Sequence, residues 1–194
     1  MDARAATLRA PLSGKLFFLE RMTTLNDTSS RPDVIDAAVP LAPTQATRTL
    51  RLQRDKVMAA TQGSYDAMFS PSVEGLPVAE RLLVALHACS VSKAATLAAH
   101  YRERLLAEGA ERELVAAVGS GAPVAEARLR TVLAFTASLI ERPLDGDKAA
   151  VDALADAGLS TPAIVALGQL VAFLSYQIRL VAGLQALAAA EVSQ

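Results

Sequence analysis

Leu76 to Gly109 reads LPVAERLLVALHACSVSKAATLAAHYRERLLAEG, and its spacing predicts two short helices back to back. Pro77 suits a first helical position, because the N–H it lacks is one that a helix start leaves unpaired anyway. Val78, Leu82, Ala85, Leu86 and Cys89 recur at helical spacing, and the first helix is expected to end at about Ala88. Ser92 is expected to cap a second helix, from about Lys93 to Glu108, which Gly109 stops.

The rest of the chain repeats this pattern of caps and apolar stripes. Asp33 to Val39 reads as one helical turn, stopped by Pro40 and Pro43. A helix from about Thr44 to Ala60 sets Leu50, Val57 and Met58 among Arg48, Arg51, Arg54 and Lys56, which suits a helix with one solvated side. GSYDAMFSP, from Gly63 to Pro71, adds a short helix, and Ser70 to Gly75 a loop. Glu111 to Val118 is closed by Gly119-Ser120-Gly121, and Pro123 opens a helix reaching Glu141. Asp147 caps a helix ending at Gly158, and Thr161-Pro162 open the last helix, to about Ala189. No strand pattern, glycine-rich phosphate loop or fixed-period repeat is present. The fold class expected is all-α, with residues 1–43 as a largely irregular N-terminal arm and residues 44–194 as the helical domain.

Composition narrows the function classes. The chain has 194 residues, 52% of them hydrophobic, enough to bury a substantial core. Its net charge of −1 gives no overall attraction to nucleic acid or to an anionic membrane, and neither is expected as a partner. A single cysteine, Cys89, excludes an intramolecular disulfide and fits a reducing compartment. The only apolar cluster near the N-terminus, Leu16 to Leu19, is too short for a signal-peptide core, so a cytoplasmic protein is expected. Met22 reads as an alternative start, which would make residues 1–21 a mis-called extension or a disordered tail. Between Asp156 and Glu191 the only charged residue is Arg179, a run long enough to span a bilayer. Gln169, Ser175, Gln177, Arg179 and Gln185 interrupt it and no aromatic belt flanks it, so it reads as a buried central helix.

Three segments carry a resemblance. LPVAERLLVAL (76–86), AAHYRERLLAEGA (98–110) and AFLSYQIRLVAGL (172–184) are similar, in that order, to segments of the AhpD-like fold shared by alkylhydroperoxidase AhpD and carboxymuconolactone decarboxylase. The last matches at Phe173, Tyr176, Arg179, Leu180, Gly183 and Leu184. The block DVIDAAVP…QGSYDAMF resembles that family's peroxidase-related members of unknown role. The resemblance covers about residues 45–190 and implies an AhpD-like helical domain. It also implies a redox motif: a glutamate, twelve residues on a cysteine, then C-x-x-C-x-x-x-H. In that motif a thiolate attacks the peroxide and a neighbouring thiol resolves the sulfenic acid, while histidine and glutamate move protons.

Aligned on AAHYRERLLAEGA, the cysteine positions fall at Ala94 and Leu97, the histidine at Tyr101 and the glutamate at Leu82. Shifting by one residue to put His100 on the histidine places Lys93 and Thr96 on the cysteines and Arg81 on the glutamate. With one cysteine in the chain, no register supplies C-x-x-C, and the dithiol peroxidase cycle is excluded for this chain alone.

The remaining candidates each have two readings. Cys89 is either a small core hydrophobe or a one-cysteine peroxidatic centre resolved by an outside thiol. His100 and Tyr101 are either a surface or interface pair or an acid–base pair, since carboxymuconolactone decarboxylases work without a dithiol. His87, two residues before Cys89, diverges from it on a helix, and two histidines without a matching carboxylate make a poor metal site. Arg179 lies in the most apolar helix and is expected to pair with Glu80 or Glu103, as a structural ion pair or as an anchor for an acidic substrate. No cofactor and no metal are expected. The last helix is apolar around most of its circumference, so a homo-oligomer is expected (dimer, trimer or hexamer), with a small-molecule ligand as a further possibility. The readings of function are a peroxidase-related binding or structural protein without the dithiol, a non-redox enzyme acting on a small organic acid or lactone through His100 and Tyr101, and a one-cysteine peroxidase.

Overall fold

The computed structural model describes residues 33–72 and 75–193. The apolar cluster Leu16 to Leu19 and the alternative start at Met22 lie outside them. The described residues form helices and connecting turns, with no strand among them, and the all-α expectation holds.

In chain order the helices are α1 (Val34–Ala38), α2 (Ala46–Leu52), α3 (Asp55–Met68), α4 (Val78–Val91), α5 (Ala95–Ala107), α6 (Arg112–Ser120), α7 (Ala127–Glu141), α8 (Lys148–Asp156) and α9 (Thr161–Val192). A 3₁₀ turn, Pro143–Asp145, joins α7 to α8. Several ends follow from single residues. Asp33 accepts from the Ile35 N–H at 2.7 Å and caps α1. Asp147 caps α8 through the Ala150 N–H, and Ser160 caps α9 through the Ala163 N–H, with Thr161 and Pro162 as the first helical residues.

Five features differ from the sequence reading. The helix expected over 44–60 breaks at Gln53-Arg54, and Gly63 to Met68 of GSYDAMFSP belong to α3, which runs unbroken through Gly63. Pro123 lies in the turn ahead of α7. Residues 33–43, assigned above to an irregular arm, belong to the packed domain: Ile35 is fully buried, with Val34, Ala38, Val39 and Leu41 around it. Ser92 is the C-cap of α4 rather than the N-cap of α5.

The centre of the domain is α4. It packs against α5, α6, α7 and α9 and buries Leu82 to Leu86, Ala88 and Cys89 in succession, leaving little of its circumference to water. The role of buried central helix, expected of the last helix, therefore falls to α4. By length and composition α9 could cross a membrane, but in the fold it packs one face only: Leu167, Leu170, Leu174 and Val181 turn inward, while Val165, Tyr176 and Leu187 are exposed. At 32 residues it is about 48 Å long. Its far end reaches α2, whose own N-cap residue, Gln45, makes no capping bond. The Glu191 carboxylate accepts there from the N–H groups of Ala46 (3.0 Å) and Thr47 (2.7 Å) and from the Thr47 hydroxyl, the anion-at-N-terminus arrangement that the helix dipole favours.

Candidate functional site

The junction of α4 and α5 sets the geometry of the motif positions. The Ala94 N–H donates to the Cys89 carbonyl at 2.8 Å and the Lys93 N–H to Ser90 at 3.1 Å, the paired bonds of a Schellman helix end. Such an end needs a left-handed residue, and here it is Lys93, at φ 57°. The turn folds α5 back along α4 and points the inner face of α5 at the core.

That inner face is filled. Leu82, Leu97 and Tyr101 are each fully buried, and Ala94 packs against the same cluster. The Tyr101 hydroxyl donates to Gln177 Oε1 on α9 at 2.6 Å, and burial holds its phenol well above the ordinary range. Gln177 is itself fully buried, and its Nε2 has no hydrogen-bond partner among the described residues. Cys89 is fully buried beside them, and burial pushes its thiol up to about 12. A peroxidatic cysteine needs the opposite, a thiol lowered by nearby positive charge and reached by solvent. The geometry of Cys89 suits the inert reading.

His100 and Tyr101 do not share a site. Their rings meet edge-on, with centroids 5.1 Å apart, but the hydroxyl of Tyr101 goes into the core while His100 lies half-buried on the flank of α5. His100 Nε2 instead meets the Tyr65 hydroxyl of α3 at 2.7 Å, and Arg104 Nη1 donates to the same oxygen at 2.9 Å. The Arg104 guanidinium also stands over the rings of Tyr65 and Phe69, 5.6 and 5.0 Å from their centroids. Arginine can only donate, so the phenol oxygen accepts from it. Burial, and then the Arg104 charge, hold His100 below its ordinary value. Burial works against the Arg104 charge, but the hydrogen bond to Tyr65 and the pairing with Glu108 outweigh it and hold the guanidinium above its ordinary value. Tyr65 was missed in the sequence because GSYDAMFSP was read as a separate short helix. Its four-residue offset from Phe69, which places both on one helical face, was the available signal.

The expected pair between Arg179 and Glu80 is not formed. Arg179 is exposed, as is Glu103. Glu80 pairs with Arg128 of α7 at 3.0 Å, and burial still holds its carboxyl above the ordinary value despite that partner. The buried cation is Arg81, only 1% exposed. Its guanidinium donates to the carbonyls of Leu76 (2.9 Å), Ser70 (2.7 Å) and Met68, so it ties the connection from α3 to the start of α4. Three carbonyl dipoles solvate the charge in place of a carboxylate. Burial, and then Arg104, lower its pKa.

Among the described residues no group of three or more His, Cys, Asp or Glu side chains is placed to hold a metal. Two of the concavities among the described residues stand out. One, about 230 Å³, lies among Asp36, Leu41, Arg48 and Arg51. The other, a shallow groove of about 340 Å³, runs between α3 and α9 past Val57, Thr61, Phe173 and Tyr176. Neither is lined by Leu82, Cys89, Ala94, Leu97, His100 or Tyr101.

No family model and no curated protein matches the chain. A solved structure does: that of an uncharacterized peroxidase-related protein from Silicibacter sp. TM1040, 17% identical, with a TM-score of 0.61 over 67% of this chain and 69% of that one. The helical arrangement described above is thus the fold of that peroxidase-related protein.

Proposed function

We propose that this is a peroxidase-related protein of the AhpD-like type that lacks the redox dithiol and serves as a binding or structural homo-oligomer in the cytoplasm. One observation carries the reading: of the positions that would hold the catalytic groups, Leu82, Leu97 and Tyr101 are packed core and Ala94, partly buried, packs against it. Self-association is supported by the exposed Val165, Tyr176 and Leu187 on α9 and by Leu50 and Leu52 on α2 and Val57 on α3. The test is turnover of an alkyl hydroperoxide with a dithiol reductant, together with the mass of the purified protein in solution. No turnover above that of Cys89→Ser, and a mass at a multiple of the chain, are the expected results. Family-type turnover that survives Cys89→Ser, or a monomer at all concentrations, would overturn the respective half of the proposal.

A second reading has a specific observation behind it. An acid–base enzyme acting on a small organic acid or lactone would use His100 with Tyr65 rather than with Tyr101, since only the Tyr65 hydroxyl reaches the imidazole. Release of a proton or carbon dioxide from such a substrate, lost in His100→Gln, is the result that would favour it over the first.

A further inference from the structure

Two arginines of α2, Arg48 and Arg51, lie one turn apart and so share a helical face. Both line the concavity of about 230 Å³, together with Asp36, Pro40, Leu41 and Leu52. Neither guanidinium is loose. The Arg51 side chain is only 8% exposed. Its Nε donates to Asp36 Oδ1 at 2.6 Å, and its Nη2, sealed from solvent, stands 3.1 Å from Asp33 Oδ1. Two carboxylates of α1 and the residue before it thus fix the plane of this fork. Its Nη1 makes no hydrogen bond among the described residues and is the nitrogen left to the cavity. Arg48 is exposed and tethered at one point, where its Nη1 donates to the Leu41 carbonyl at 3.3 Å. No carboxylate among the described residues pairs with it.

The charges of Asp33, Asp36, Arg48 and Arg51 sum to zero, but they are unevenly spread. Arg51 is shared by two carboxylates, whereas Arg48 has none. Asp36 uses Oδ1 for Arg51 and leaves 44% of its side chain exposed, with Oδ2 unused among the described residues. The concavity therefore offers a cation and an anion beside the apolar Pro40, Leu41 and Leu52. A simple anion would meet the Asp36 carboxylate, and a simple cation would meet Arg48. A ligand carrying both signs satisfies both groups and brings no net charge into the site. Its volume is below the about 300–1,000 Å³ of sites for drug-sized molecules, so the ligand is small.

We propose that this concavity binds a small zwitterion, an aliphatic amino acid. Arg48 and the Nη1 of Arg51 take its carboxylate, for which guanidinium geometry is suited. Asp36 Oδ2 takes its ammonium, and the apolar wall takes its side chain. The site is separate from His100 and does not rest on the proposed function.

Calorimetric titration of the full chain tests it, with L-leucine and with the two halves of that molecule as probes: isocaproate, which lacks the ammonium, and isoamylamine, which lacks the carboxylate. Leucine should bind saturably and about tenfold or more tightly than either half, since each loses a charge-assisted hydrogen bond. Arg48→Met, a change at an exposed side chain, should weaken leucine by about tenfold or more. Asp36→Asn keeps the oxygen that accepts from Arg51 and should bind leucine no better than isocaproate. Three results would overturn the site: no saturable binding of leucine at about 10 mM, equal affinity of the native chain for leucine and isocaproate, or unchanged leucine affinity in Arg48→Met.

Discussion

Leu97, Tyr101 and Leu105 on the inner face of α5 and His100 and Arg104 on its flank lie within three turns of one another, yet solvent reaches only the second set. On the inner face every side chain but one is apolar, that one, Tyr101, is directed at a buried partner, and the sole thiol nearby is pushed towards inertness by burial. On the flank a guanidinium and an imidazole meet one phenol oxygen. The comparison teaches that the inner face of α5 is closed core, whereas titratable side chains stand one residue away, where the helix turns towards α3.

Reinstating a charge on the closed side is the harshest way to break that contrast. Leu82→Glu puts a carboxylate into a site with no exposure. An uncompensated carboxylate there should cost about 3–5 kcal/mol, read as a lower urea midpoint at neutral pH and partly recovered in acid as the group neutralises. A midpoint equal to that of the native chain would mean that position 82 opens on water. Glu103→Gln, on the exposed side of α5, is the matched control, within about 0.5 kcal/mol of the native chain.

The polar exception on the closed face gives a smaller effect. Tyr101→Phe removes the one hydrogen bond made by Gln177, whose Nε2 is already without a partner. The amide is then wholly unsatisfied in the core, at a cost of about 1–3 kcal/mol. Adding Gln177→Leu removes the stranded group and should recover most of the loss. A double variant no more stable than Tyr101→Phe alone would show that Gln177 finds another partner when its tyrosine is gone. Tyr65→Phe, on the wetter flank, should cost less in global stability, because solvent can take over from the lost hydroxyl.

Features decided by neighbours in sequence were readable from the sequence, and those decided by neighbours in space were not. Asp33, Pro77, Gly109 and Asp147 act within a few residues of themselves, and the helix ends they mark are found close to where expected, whereas the helix expected to close at Val118 runs through Gly119 to Ser120. The break at Gln53-Arg54 has no comparable punctuation, since neither residue is a strong helix breaker. The buried arginine shows the spatial limit. Arg179 looked buried because its helix is apolar, but α9 packs on one side only and the arginine takes the other. Arg81 sits beside Glu80 and Leu82 like any charged residue near a helix start, and the three carbonyls that receive it belong to a connection whose path no helical period describes. The same holds for the candidate site. His100 stood out as a residue, but its partner Tyr65 lies 35 positions earlier, on a helix whose docking is a tertiary event.

Ser92 and Lys93 mark the case in which a local rule pointed the wrong way, and they give the smallest prediction. The helix ends after α4 and after α5 are built alike: at the second, the Ala110 N–H donates to Leu105 at 3.0 Å and Gly109 takes the left-handed position at φ 84°. Glycine holds that conformation without steric strain, whereas Lys93 holds it with a Cβ, at about 1–2 kcal/mol. Lys93→Gly should therefore stabilise the protein by about 1 kcal/mol, after the extra freedom of glycine in the unfolded chain is set against the relief. Gly109→Ala should lose a similar amount, and through the backbone alone, since nothing lies within 4 Å of where its Cβ would stand. Paired urea midpoints of the two variants compare the ends directly. A Lys93→Gly variant no more stable than the native chain would mean that the lysine side chain makes good the strain by contacts of its own, and the α4–α5 turn would then be held by more than its two backbone bonds.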